Sequence, residues 1–141
     1  MARITPADVK TVGILGTGVI GGSWAAHFLR QGLDVVAFDL APGAEERLTQ
    51  RIEKIWPTLV DLGLKPGADK GRLQFVDSLE ELGAKVPLIQ ESTPEDLQAK
   101  QTLFAEIEAA IPEDVIISSS TSGLLMSDIQ VNCKHPERTV V

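Results

Sequence analysis

Three glycines in a fixed spacing constrain the fold of this chain more than any other feature. An apolar stretch that begins at Val12 breaks into Gly16-x-Gly18-x-x-Gly21. Gly16 permits a tight turn, Gly18 lets a pyrophosphate approach the backbone, and Gly21 lets a helix pack closely on the sheet. Because the glycines follow a predicted strand and open a predicted helix, free N–H groups at the helix N-terminus would bind the diphosphate. The pattern predicts a dinucleotide site formed by Gly16, Thr17, Gly18, Val19, Ile20 and Gly21.

The identity of the dinucleotide depends on an acidic residue further along the chain. Asp39 ends the next predicted strand, where an acid accepts hydrogen bonds from an adenosine ribose and repels a 2′-phosphate. No arginine follows it before Arg47, so a 2′-phosphate would meet little positive charge. We therefore expect NAD and not NADP. Flavin-binding proteins share the glycine spacing, so FAD is the alternative.

Predicted strands and helices alternate along the whole chain, which predicts a Rossmann, doubly wound and mostly parallel sheet with helices on both faces. The predicted strands cover residues 11–16, 34–39, 73–76, 86–90, 115–118 and 139–141. The predicted helices cover 19–31 and 44–62, a short segment capped by Ser78 and Glu81, a long segment after Thr93-Pro94, and a short segment with Ser127 and Gln130 as a capping box. Because the chain ends on an apolar strand, we expect residues 1–141 to be one Rossmann domain cut before its end.

Composition excludes several classes of function. The net charge is −7 and no run of Lys or Arg is present, so a nucleic-acid surface is not expected. No apolar segment is long enough for a membrane span and the N-terminus lacks a signal peptide, so we expect no membrane and a cytoplasmic protein. A structural role is expected for the single cysteine, Cys133, and with His27 and His135 it shows no metal-ligand spacing, so no metal is expected.

The loops after the fourth and fifth predicted strands are polar, and ligands bind at the carboxyl ends of parallel strands. The first loop holds Glu95, Asp96 and Lys100, and the second holds Ser122 in a cluster of serines and threonines. A purely structural interpretation is available for each. The two acids would cap a helix, Lys100 would pair with Asp96, and Ser122 would satisfy loop backbone groups.

Set beside the glycine pattern, these loops resemble the L-3-hydroxyacyl-CoA dehydrogenase superfamily over almost the whole chain. The strings most similar to its L-carnitine-oxidising members are Gln90-Glu91-Ser92-x-Pro94-Glu95, Ser118-Ser119-Ser120-Thr121-Ser122-Gly123-Leu124-Leu125, His135-Pro136-Glu137-Arg138, and Trp56-Pro57 through Phe75. The resemblance implies that Glu95 and Lys100 contact the nicotinamide half of NAD. It also implies that Ser122 is catalytic and hydrogen-bonds the substrate oxygen near the nicotinamide, which makes it a cofactor-site residue as well.

The activity that the resemblance implies is NAD-dependent oxidation of a small-molecule 3-hydroxy acid to the 3-oxo acid. In this family a histidine is the general base, and counting from Ser122 it would fall just beyond Val141. His27, on a helix, and His135, at the opposite end of the sheet, are not expected to replace it. The family's helical C-terminal domain, through which members form homodimers, is likewise expected outside this chain. A 3-hydroxyacyl-CoA substrate, or a non-catalytic NAD-binding module, is the alternative.

Overall fold

A computed structural model describes residues 4–141 and contains one sheet of six parallel strands in the order β3-β2-β1-β4-β5-β6. The strands are β1 (Thr11–Leu15), β2 (Asp34–Phe38), β3 (Leu73–Phe75), β4 (Leu88–Glu91), β5 (Ile116–Ser119) and β6 (Thr139–Val140). The α-helices are α1 (Val19–Arg30), α2 (Ala44–Asp61), α3 (Leu79–Lys85), α4 (Leu97–Ala110) and α5 (Met126–Ile129). This order reverses between β1 and β4, and it is the doubly wound topology of dinucleotide-binding folds.

Two apolar layers, one on each face of the sheet, stabilise the fold. Successive strand residues point to opposite faces, so Ile14 packs in one layer and Leu15 in the other. The layer under α1 and α2 contains Ala25, Ala26, Leu29, Val35, Ala37, Leu48 and Ile52. The layer under α3, α4 and α5 contains Val36, Phe38, Leu82, Ile89, Phe104, Ile107, Ile117 and Ile129. Burial on both faces explains why the strands are continuously apolar, and it confirms the predicted fold class.

The fourth strand and the helix after it begin later than the sequence predicts. β4 runs from Leu88 to Glu91, so Glu91 belongs to the strand and not to the loop, and it pairs in register with Leu15 and Ser119. The long helix begins at Leu97 and not directly after Pro94, because the Asp96 side chain accepts a hydrogen bond from Ala99 N at 2.8 Å. The residues between β4 and α4 are therefore free to line a ligand site.

The helix-capping predictions had mixed outcomes. Ser78 caps α3 by accepting a hydrogen bond from Glu81 N at 3.1 Å, as predicted, but the Glu81 carboxylate accepts from Asp77 N at 3.2 Å and not from Ser78 N. The capping box at Ser127 is wrong, because α5 begins at Met126 after Leu125 and has no side-chain cap. Within residues 4–141, none of the helices combines the length and the apolar character needed to cross a membrane.

Candidate functional site

The three glycines shape the turn between β1 and α1 in three different ways. Gly16 has φ +85°, and a Cβ there would lie 2.9 Å from the backbone of Ser92. A Cβ on Gly21 would lie 1.8 Å from the Gly16 carbonyl oxygen, so only glycine lets α1 start this close to the turn. A Cβ on Gly18 would meet nothing within 4 Å, because this residue faces an open cleft. The turn therefore fits a pyrophosphate, which needs exposed backbone at Gly18 and the N-terminus of a helix.

Asp39 connects the end of β2 to the glycine turn. Its Oδ2 accepts hydrogen bonds from Thr17 N at 2.7 Å and Thr17 Oγ1 at 3.0 Å, and its Oδ1 accepts one from Ala41 N at 2.8 Å. Partial burial opposes ionisation, but these hydrogen bonds and the charge of Arg47 hold the pKa of Asp39 below its usual value. The carboxylate is thus ionised at neutral pH and placed where a ribose hydroxyl can donate to it.

Two adjoining cavities of about 490 and 570 Å³ form an elongated cleft along the carboxyl ends of the strands. They share four residues, Gly16, Asp39, Thr93 and Pro94. The larger cavity is apolar, with walls that include Leu15, Phe38, Leu40, Leu79 and Leu103. The smaller contains Gly18, Val19, Ile20, Ser92, Glu95 and Ser120. An apolar cavity on one side of Asp39, and on the other side a cavity whose polar side chains include Ser92, Glu95 and Ser120, fit the two halves of a dinucleotide.

Lys100 lies beneath the loop between β4 and α4, which lines this cleft. Its side chain is 2% exposed, and Nζ donates to Glu91 Oε1 at 2.7 Å and to the Thr93 carbonyl oxygen at 3.2 Å. The ion-pair partner of Lys100 is therefore Glu91 and not Asp96, which caps α4. Sequence analysis missed Glu91 because its burial depends on Ser119 and Lys100, which the fold brings to it.

Glu95 contacts Thr121, a residue that the sequence analysis did not single out and that directly precedes Ser122. The hydroxyl of Thr121 donates to the Glu95 carboxylate and accepts a hydrogen bond from Leu124 N at 3.2 Å. Thr121 is buried, whereas its neighbour Ser122 is exposed at the loop surface. The structure thus brings the loops after β4 and β5 together, and it places Ser122 on the exposed surface of the second loop, outside the residues that line the two cavities.

A second set of hydrogen bonds joins the same two loops at the wall of the smaller cavity. Gln90 Nε2 donates to Ser120 Oγ at 2.8 Å, and Ser120 Oγ lies 2.8 Å from Ser92 Oγ. These side chains come from the end of β4 and from the residues that follow each strand. In the sequence, these residues could be recognised as polar side chains at the ends of two predicted strands. Which of them form hydrogen bonds with each other is determined by the order of strands in the sheet.

The histidines and the cysteine lie away from this cleft. His27 is exposed on α1 beside Trp24, and His135 lies in the turn before β6, near Glu113 and Glu137. Burial, followed by the negative charge of Glu108, raises the pKa of the Cys133 thiol. Among the residues that the structure describes, no three His, Cys, Asp or Glu side chains gather as metal ligands do.

Comparison with known proteins shows the family of this chain. Residues 11–141 match the family described as "3-hydroxyacyl-CoA dehydrogenase, NAD binding domain". The chain belongs to this family. Membership confirms the resemblance seen in the sequence and the prediction of NAD as the cofactor.

Individual relatives and solved structures agree with this assignment. The chain is 51% identical to an L-carnitine dehydrogenase of Nocardiopsis dassonvillei and 52% identical to one of Pseudomonas putida, over 99% and 95% of its own length. It spans only 43% and 42% of these two relatives. A 5-formyl-3-hydroxy-2-methylpyridine 4-carboxylic acid 5-dehydrogenase superposes with a TM-score of 0.80 at 32% identity, over 93% of this chain and 43% of that one. A 3-hydroxybutyryl-CoA dehydrogenase from Escherichia coli superposes with a TM-score of 0.81 at 27% identity, over 93% and 28%.

Proposed function

We propose that this chain is the NAD-binding part of an enzyme that oxidises L-carnitine to its 3-oxo acid, 3-dehydrocarnitine. The observation that carries the proposal is the 51% identity, over 99% of the chain, with a relative named L-carnitine dehydrogenase. The cleft is compatible with it, because a dinucleotide-sized groove ends at two loops that carry Glu95 and Ser122.

Binding of the cofactor would involve residues on both sides of Asp39. The N–H groups at the start of α1 and the exposed backbone of Gly18 would hold the pyrophosphate. Asp39 would accept a hydrogen bond from the adenosine ribose, and Leu40, Leu79 and Leu103 would cover the adenine. When bound, NAD supplies a hydride acceptor at the nicotinamide.

The residues near the nicotinamide end would orient the substrate. Glu95 is fixed by Thr121, so its carboxylate would contact the nicotinamide half from a defined position. The exposed hydroxyl of Ser122 would donate a hydrogen bond to the oxygen of the substrate and hold it in line for proton and hydride removal. The histidine that takes the hydroxyl proton is expected from the family resemblance and is not one of the two in this chain.

The choice of substrate and the oligomeric state are also part of this proposal. L-Carnitine is favoured over a CoA thioester because the relatives at about half identity carry that name, whereas the 3-hydroxybutyryl-CoA dehydrogenase is 27% identical. That second protein nevertheless shares the fold closely, so a 3-hydroxyacyl-CoA substrate is the candidate to test against carnitine. A homodimer is expected for the whole protein.

The experiment has two stages. Binding of NADH and NADPH to the 141-residue chain is measured by the fluorescence of the reduced nicotinamide, and NADH is expected to bind with the higher affinity. NAD reduction is then followed with the protein that carries this chain, with L-carnitine and 3-hydroxybutyryl-CoA as substrates. Equal or faster reduction with the thioester would overturn the choice of carnitine. Binding of NADH with no oxidation of either compound would favour a non-catalytic module.

A further inference from the structure

A single buried hydroxyl group connects the loop after β4 to the loop after β5. Thr121 is 5% exposed, whereas Glu95 and Ser122, the two candidate site residues beside it, are exposed. The Thr121 hydroxyl donates to Glu95 Oε1 and accepts a hydrogen bond from Leu124 N at 3.2 Å. A hydroxyl has one proton, so this donor is committed to Glu95. Thr121 itself lies outside the residues that line the two cavities.

The backbone of Thr121 is held from the interior of the sheet. Its N–H donates to Ser119 Oγ at 3.2 Å, and Ser119 Oγ in turn donates to Glu91 Oε2 at 2.5 Å. Ser119 and Glu91 are both buried, and they pair in register on β5 and β4. Because its backbone is fixed in this way, the Thr121 side chain can fix the position of the two exposed groups that it contacts.

The first of these groups is the Glu95 carboxylate, which lines the smaller cavity. Its Oε1 is bound by Thr121, and no residue within 4–141 donates a hydrogen bond to its Oε2. An exposed glutamate side chain otherwise occupies many rotamers, and holding it in one of them on binding costs entropy. The hydrogen bond from Thr121 restricts the carboxylate before a ligand arrives, so it lowers this cost.

The second group is the turn that carries Ser122. The hydrogen bond from Leu124 N to Thr121 Oγ1 encloses Ser122 and Gly123. A Cβ on Gly123 would meet no atom within 4 Å, so the turn is not packed against the rest of the chain at that residue. The position of the Ser122 hydroxyl therefore depends on the hydrogen bond that Thr121 accepts.

We propose that Thr121 is a positioning residue, which fixes Glu95 for the cofactor and Ser122 for the substrate without touching either ligand. The inference rests on the proposed function, because it requires NAD beside Glu95 and the substrate oxygen at Ser122. One hydroxyl then couples the orientation of the group that contacts the cofactor to that of the group that contacts the substrate.

Substitutions at Thr121, made in the protein that carries this chain, test the role of the hydroxyl. Thr121→Val keeps the shape of the side chain and removes the hydroxyl. It is expected to bind NADH about tenfold more weakly and to lower kcat at saturating NAD about tenfold, with the substrate that the wild-type protein oxidises. Thr121→Ser keeps the hydroxyl and should stay within about twofold of the wild type in both measurements. The matched control is Thr102→Val, which removes an exposed hydroxyl bonded within α4 and should change neither.

A double-mutant cycle with Glu95→Ala tests whether Thr121 acts through Glu95. If Thr121 affects the cofactor only through this carboxylate, Thr121→Val should weaken NADH binding no further when Glu95 is already alanine. In the same background kcat should still fall, because the turn that carries Ser122 loses its hydrogen bond to Thr121 in either case.

Each outcome decides the proposal. Wild-type NADH affinity or wild-type kcat in a folded Thr121→Val protein would overturn it. Thr121→Ser binding as weakly as Thr121→Val would also overturn it, because the methyl group and not the hydroxyl would then set the affinity. Additive losses in the cycle with Glu95→Ala would do the same. A wild-type protein that binds no NADH would instead overturn the proposed function, and this inference with it.

A measurement on Glu95→Ala covers the case in which Thr121→Val does not fold. Glu95 is exposed, so its replacement is expected to leave the protein folded. Without the carboxylate the Thr121 hydroxyl loses its acceptor and can rotate, so the Leu124 amide should exchange with solvent about tenfold faster than in the wild type. NMR detection of the exchange reports this amide individually. An unchanged exchange rate at Leu124 would show that the turn is held independently of Glu95, and it would overturn the proposal.

Discussion

Asp39 and Thr17 are joined by two hydrogen bonds, from the Thr17 N–H at 2.7 Å and from its hydroxyl at 3.0 Å, both to Asp39 Oδ2. The acid that the sequence assigns to the ribose therefore also fixes the glycine turn. Oδ1 accepts a backbone hydrogen bond from Ala41 N at 2.8 Å, and it retains a second lone pair for a ribose hydroxyl. The proposed role of Asp39 in selecting NAD would thus be coupled to the shape of the turn through one carboxylate.

Replacement of this carboxylate should weaken NADH binding. In Asp39→Asn the amide has one acceptor oxygen in place of two, so either the Thr17 N–H or the ribose loses its partner. We expect the affinity for NADH to fall about tenfold, which corresponds to one charge-assisted hydrogen bond. The affinity for NADPH should fall less or rise, because the negative charge is removed while Arg47 remains close enough to influence this site. Fluorescence titration with both nucleotides measures the ratio.

Thr17→Val is the control for the coupling. It removes the hydroxyl donor and leaves the Thr17 N–H and the Asp39 carboxylate in place. NADH affinity should fall less than in Asp39→Asn, and the preference for NADH over NADPH should remain. Loss of that preference in Thr17→Val would contradict the role given to the Asp39 charge.

Gly18 and Gly21 should respond in opposite ways to the same substitution. Gly18 has φ −66° and open space around it, so Gly18→Ala should fold normally but place a methyl group in the path of the pyrophosphate. Gly21→Ala would put a methyl group 1.8 Å from the Gly16 carbonyl oxygen and should lower the free energy of unfolding by about 3 kcal/mol. Thermal unfolding and NADH titration of both variants separate the effects. A destabilised Gly18→Ala with normal binding would contradict this assignment.

The parts of the site that the sequence predicts are those set by local spacing. The positions of the glycine turn and of Asp39 depend only on β1, the segment that follows it and β2. The sequence pattern therefore predicts these positions residue by residue. Glu91 differs, because a carboxylate that follows apolar residues is typical of a strand end facing solvent. Its burial is set by Lys100 on the next helix and Ser119 on the next strand, which only the assembled sheet brings together. The hydrogen bond between Thr121 and Glu95 likewise joins two residues that only the assembled sheet brings together.

The boundaries that the sequence missed have a similar cause. Pro94 suggested the first turn of a helix, since proline is favoured there. The chain instead continues as a loop to Asp96, because Thr93 is held by Glu91 and Lys100 and Glu95 by Thr121. Because of these tertiary hydrogen bonds the helix begins only at Leu97, and the residues before it line the cleft.

Cys133 should react slowly with thiol reagents. Burial, and then the charge of Glu108, raise the pKa of its thiol, so little thiolate is present at neutral pH. The rate of modification in the folded chain should be at least about tenfold lower than in the chain unfolded in denaturant. Colorimetric thiol titration measures both rates. Rapid modification of the folded chain would contradict the structural role expected for this cysteine.

Stability below neutral pH should report on Glu108 in α4. Burial opposes its ionisation, but the N–H groups of Lys134 and His135, each at 2.6 Å, and the charge of Arg138 hold its pKa below 4.5. A lowered pKa stabilises the folded state above pH 4.5, and this contribution is lost as the pH falls through the folded-state pKa. Glu108→Gln should therefore lower the free energy of unfolding by about 2 kcal/mol at pH 7 and progressively less below pH 4.5. Denaturant unfolding across this range tests it. The exposed Glu106→Gln should have little effect at any pH, and a pH-independent cost of Glu108→Gln would contradict the prediction.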